Sequence, residues 1–103
     1  MAEKNFFYDL IEDPAQAEIL HIKSYLSSLV VEVIAQKKWT QTEAASVLGI
    51  AQPRISEIKQ AKLDKYSVDF LLSILVQLGY GLTVNFTPKS KKKPIQFALQ
   101  LRK

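Results

Sequence analysis

The chain has 103 residues, 48% of them hydrophobic, with no cysteine, one histidine and a formal net charge of +4. That length holds one domain with a real core, and without cysteine there is no disulfide framework and no thiolate metal site. Apolar runs such as Leu29-Val30-Val31 and Phe70-Leu71-Leu72 stop at Glu32 and Ser73, well short of the ~20 residues of a membrane helix.

The opening stretch carries Glu3, Asp9, Glu12 and Asp13, unlike a secretory leader with its basic start and unbroken apolar segment, so a cytoplasmic location is expected. Asp13-Pro14 reads as a helix N-cap followed by proline at the first helical position, where its missing N–H costs nothing. A long helix to about Lys38 should follow. Ile19, Ile22, Leu26, Leu29 and Val33 recur every three or four residues, and Val30 and Ile34 widen the stripe into a core-facing surface. His21 has neither a cysteine nor a second histidine to work with, so it is read as helix surface, and no metal or cofactor is expected.

Thr40 and Glu43 have the spacing of a capping box, with Trp39 placed to staple the first turn of a short helix ending at Leu48. Gly49 supplies the left-handed residue of a sharp turn, and Ile50 brings the chain back to the core. A third helix starts near Gln52, since Pro53 is tolerated only in a first turn; Ile55 and Ile58 form its buried face. A loop over 60–65 leads to Ser67, the cap of a fourth helix. Its apolar stripe is Val68, Leu71, Leu72, Leu75 and Leu78, ending at Gly79.

After residue 81 the period changes. Leu82, Val84 and Phe86 alternate with Thr83, Asn85 and Thr87, and Ile95, Phe97, Leu99 and Leu101 alternate with Gln96, Ala98, Gln100 and Arg102, which is strand periodicity. The segment 88–94 between them carries Lys89, Lys91, Lys92 and Lys93 and is expected to be a poorly ordered basic loop. Two strands alone are marginal, so a second subunit or the helices must cover them.

Residues 41–60 combine what two steeply crossing helices need. Ala45 is small enough for the crossing, Gly49 makes the turn, and Ala44, Leu48, Ile50, Ile55 and Ile58 are the apolar faces. The expected fold is therefore mostly α: a helix-turn-helix bundle over 1–81, with the motif at 40–60, and a short C-terminal β segment over 82–103 that serves dimerisation. Charge follows the same division. Residues 1–36 hold two lysines against six acids, 37–65 six basic residues against three acids, and 66–103 six against one. Positive charge begins where the motif begins, which suits a polyanion, while the acidic part suits a different, basic partner; a plain solvated surface has the same pattern.

These residues resemble the Cro and phage-repressor (XRE-type) helix-turn-helix proteins, more specifically HigA-like antitoxins. The likeness spans residues 5–87, through Asn5-Phe6-Phe7-Tyr8-Asp9-Leu10, Thr40-Gln41, Gly49-Ile50-Ala51-Gln52-Pro53-Arg54-Ile55-Ser56 and Lys62-Leu63-Asp64-Lys65-Tyr66-Ser67. Ala51 and Ala61 stand where such relatives usually have serine and glycine. The resemblance implies that the third helix enters the major groove and the second lies across the backbone.

At about 100° per residue, Gln52, Pro53, Ser56, Glu57 and Gln60 then share one face opposite Ile55 and Ile58. Gln52 can pair in two places with adenine, and Ser56 can meet a base edge or a phosphate. Glu57 can accept from cytosine, or else repel phosphates or pair internally. Arg54, roughly 200° from Gln52, sits at the flank, placed for a phosphate contact or an internal ion pair. Gln41 can contact phosphate together with the N–H groups that open its helix. Lys59, Lys62 and Lys65 either follow the backbone or are solvated surface.

The functional expectation is a sequence-specific transcriptional repressor that binds double-stranded DNA as a homodimer. The resemblance adds an antitoxin role, with a toxin ribonuclease docking on the acidic segment 9–18 and the outer face of the long helix. Two alternatives share these residues: a stand-alone repressor without a toxin, and a helical protein-interaction module without nucleic acid. With one histidine, no cysteine and no clustered carboxylate pair, no catalytic constellation is evident, and an enzyme is not expected.

Overall fold

The computed structural model describes residues 13–89, 91 and 95–101. The segment 5–10 that contributes to the family resemblance, and Lys92, Lys93 and Pro94 of the basic loop, lie outside them. Helix α1 (Pro14–Lys37) starts at Asp13, whose carboxylate accepts from the Ala15 N–H at 3.0 Å, and ends on Lys38 in a left-handed conformation, φ 60°. Helix α2 (Gln41–Leu48) begins with both bonds of the capping box. The Glu43 N–H donates to Thr40 Oγ1 at 3.1 Å, and the Thr40 N–H donates to Glu43 Oε1 at 2.8 Å. Gly49 at φ 68° closes α2, and the chain enters α3 (Gln52–Lys59) through Ala51, which has no side chain able to cap it.

The segment after α3, expected as plain loop, contains a 3₁₀ turn at Leu63–Lys65. Ser67 then caps α4 (Val68–Gln77), its Oγ accepting from the Phe70 N–H at 3.1 Å. The four α-helices of the described residues meet in one core. Leu26, Val30 and Ile34 of α1 pack with Ala44, Ala45 and Leu48 of α2, Ile55 and Ile58 of α3, and Leu71, Ile74 and Leu75 of α4. Each large aliphatic side chain buried there contributes about 1.5–3 kcal/mol, which outweighs the weak helix propensity of segments as short as α2 and α3.

Two parts of the expected core need correcting. Ile19 and Ile22 are 38% and 39% exposed, because the common core takes up α1 only from Leu26 to Ile34. Periodicity identifies a helix face but not how far its neighbours reach along it. Ile74, outside the expected stripe, is fully buried. It lies three residues after Leu71 and next to Leu75, so the buried face of α4 is wider than a leucine stripe.

Strand β1 (Tyr80–Phe86) starts two residues before the expected position, and β2 (Ile95–Leu101) pairs with it antiparallel within the same chain. The register sets apolar positions against apolar ones, Leu82 with Leu99, Val84 with Phe97 and Phe86 with Ile95, and sets Asn85 against Gln96. Tyr80 packs on the helical core, but Leu82, Val84 and Phe86 are 40%, 54% and 67% exposed. Between the hairpin, α1 and α4 lies an apolar groove of 690 Å³, bordered by Ile22, Tyr25, Leu29, Leu72, Tyr80 and Leu82 among others. No helix among the described residues is long and apolar enough to cross a membrane.

Candidate nucleic-acid interface

The helix-turn-helix sets two surfaces side by side. Ala44 and Ala45 are buried in the core cluster that also holds Ile55 and Ile58 of α3, where a larger side chain would push the helices apart. The Ile50 N–H bonds to the Ala45 carbonyl at 3.0 Å, which tightens the turn after Gly49. With Ile55 and Ile58 both buried, the rotation of α3 is set and its polar side must face outward. The start of α2, that polar side and the following loop then frame one open depression of 490 Å³, lined by Gln41, Gln52, Pro53, Ser56, Glu57 and Lys62.

Six of the ten residues singled out from the sequence therefore meet in one place. Gln60 adjoins them, its Nε2 donating to Ser56 Oγ at 3.0 Å. Lys59 and Lys65 are exposed but do not line the depression. At the entrance of α2 the capping box occupies the N–H groups of Thr40 and Glu43. The Gln41 and Thr42 amides are the first-turn N–H groups it does not use, and they point out of the helix start as anion-binding amides do.

Arg54 turns the other way. Its Nη1 donates to Glu57 Oε1 at 2.9 Å and to the Lys65 carbonyl at 2.7 Å, and the guanidinium lies 4.3 Å from the Phe70 ring centre. Of the two roles that the sequence left open for it, the structure displays the internal ion pair. Lys23 of α1 holds the same loop from the other side, its Nζ donating to the Leu63 carbonyl at 3.0 Å. The loop after α3 is thus pinned at both ends of its 3₁₀ turn.

Under that loop, Tyr66 is buried with its hydroxyl 2.8 Å from Ser27 Oγ. Burial pushes the Tyr66 hydroxyl above its ordinary value of 10.0; the Ser27 hydrogen bond works against this and the charge of Glu57 adds to it. Sequence reasoning missed Lys23, Ser27, Tyr66 and Phe70 as supports of the interface. The only local signal was Tyr66 and Phe70 flanking the Ser67 cap, and their partners are distant in the chain.

Among the described residues no group of three or more His, Cys, Asp or Glu could hold a metal ion. A family model described as a helix-turn-helix domain matches residues 7–86. No curated protein and no solved structure matches the chain. The model match covers most of the chain and all of the motif, so the chain belongs to the helix-turn-helix domain family of DNA-binding proteins.

Proposed function

We propose that this helix-turn-helix chain is a cytoplasmic, sequence-specific transcriptional repressor of the XRE type, working as a homodimer and serving as the HigA-like antitoxin of a toxin–antitoxin pair. It binds rather than catalyses. The observation that carries the DNA-reading part is the shared depression, where Gln41 of α2, Gln52, Pro53, Ser56 and Glu57 of α3, and Lys62 of the loop converge. Gln52, Ser56, Glu57 and Gln60 offer amide, hydroxyl and carboxylate groups to base edges in a major groove. Gln41 with the α2 amides, and Lys59, Lys62 and Lys65, supply phosphate contacts.

Dimerisation is supported by the exposed apolar positions of β1, and a dimer lets two motifs reach two half-sites together. The antitoxin role draws on the resemblance and on α1, where Glu18 and Glu32 are exposed; such acids suit a basic toxin ribonuclease. The test is copurification with the product of the adjacent gene, followed by binding to the upstream promoter duplex. A stable complex that retards the duplex is the expected result. Retardation without a copurifying protein would leave a stand-alone repressor, and failure to bind any duplex would leave a protein-interaction module.

A further inference from the structure

A carboxylate on a DNA-reading surface is an electrostatic problem. A duplex carries one negative charge per about 1.7 Å of its axis, so an uncompensated Glu57 in the depression would weaken binding to every sequence. The structure supplies compensation within the same helix, one turn earlier, through the Arg54–Glu57 pair at 2.9 Å. Arg54 does not resemble a phosphate-seeking side chain. It is held by Glu57, by the Lys65 carbonyl at 2.7 Å and by the Phe70 ring at 4.3 Å. Both hydrogen bonds leave Nη1 while the flat guanidinium lies over the Phe70 ring, a combination that a lysine ammonium could not reproduce.

Resting on the DNA-reading role proposed above, we infer that Arg54 is a positioning residue that neutralises and aims Glu57, and that Glu57 so held selects a cytosine at one base pair of the operator. An ionised carboxylate only accepts hydrogen bonds. In the major groove it therefore fits the cytosine N4 amino group and is repelled by the O6 and N7 acceptors of guanine. Neutralisation by Arg54 removes the general penalty and keeps this discrimination. Glu57 borders the same depression as Gln52 and Ser56, so its base lies beside theirs.

The experiment uses the full chain. Binding sites are first selected from random duplexes, then affinities are measured for the selected duplex, its single-base variants and a random duplex, with thermal melts confirming that each variant is folded. If wild type enriches no sequence, the DNA-reading proposal itself fails, and this inference with it. If a site emerges, Glu57→Gln should lose about tenfold of the cytosine preference at one position, with random-duplex binding unchanged or tighter. Arg54→Gln should lose the same preference and also weaken random-duplex binding, and adding Glu57→Gln to it should restore the random-duplex affinity. Unchanged base preferences in Glu57→Gln would overturn the inference. So would an Arg54→Gln loss that is equal on all duplexes, lowers the salt slope by about one and is not rescued by Glu57→Gln, since that describes a phosphate contact.

Discussion

Ser27 Oγ donates to the Lys23 carbonyl at 2.7 Å and lies 2.8 Å from the Tyr66 hydroxyl, which must then be the donor between them. This buried link joins α1 to the loop that follows α3. It is also asymmetric. Ser27→Ala leaves the Tyr66 hydroxyl buried without a partner and should cost about 1–3 kcal/mol, whereas Tyr66→Phe leaves Ser27 bonded to Lys23 and should cost about 0.5–1.5 kcal/mol. The double variant should cost less than the two together, read from urea midpoints at constant m-value.

The same tyrosine gives stability a pH dependence. Its hydroxyl titrates above 10.0 in the folded chain because burial disfavours the anion; Ser27, whose hydroxyl can turn to donate to the phenolate, opposes this, and Glu57 adds to it. A raised folded value means that the unfolded chain loses its proton first. The contribution of Tyr66 is therefore complete below about pH 10 and is lost as pH rises through the folded value. Melting temperatures of wild type and Tyr66→Phe should differ by a constant amount below about pH 10 and converge as pH rises above it; a difference that stays constant above that pH would contradict the assignment.

Gly49 and Ala61 form a matched pair. Both are left-handed, at φ 68° and 56°, but only one is glycine. A Cβ added at Gly49 would meet nothing within 4 Å, so Gly49→Ala isolates the backbone cost and should destabilise by about 1 kcal/mol. Ala61→Gly should do the reverse and stabilise by roughly 0.5–1 kcal/mol, the relief of left-handed strain less the added freedom of the unfolded chain. Thermal melts of the two variants should shift in opposite directions.

What the sequence made legible were features whose cause is local. The Asp13 and Ser67 caps, the Thr40–Glu43 box, the Gly49 turn and the inward face of Ile55 and Ile58 depend on residues a few positions apart, and all stand as expected. The left-handed Lys38 and Ala61 carry no such sign, because neither residue type favours that conformation. The start of β1 at Tyr80 is not legible, because Gly79 and Gly81 flank it and hide the alternation. In the interface, helical spacing found the outward face of α3, while the settling of Arg54 on Phe70 and the Lys65 carbonyl depends on contacts across 11 and 16 positions that no periodicity displays.

The hairpin carries the assembly prediction. Val84 and Phe86 are 54% and 67% exposed, so charge there disturbs little within one chain, yet it would be buried if that face meets a second copy. Val84→Lys with Phe86→Lys should leave the melting temperature of a dilute sample within a few degrees of wild type. It should also convert a sedimenting dimer into a monomer and weaken operator binding by more than about tenfold, as half-sites are no longer bound in pairs. A double variant that still sediments as a dimer would place the interface elsewhere.

Reading of bases by the exposed face of α3 is tested most directly at Gln52. Its amide sits at the first position of that helix and on the rim of the depression, and Gln52→Ala removes a donor–acceptor pair without altering charge. Affinity for the selected operator and for a random duplex should be measured at one salt concentration in wild type and variant, with helicity checked by circular dichroism. Base reading predicts a loss of about 1–3 kcal/mol on the operator and almost none on the random duplex. An equal loss on both, or no loss on either, would contradict it.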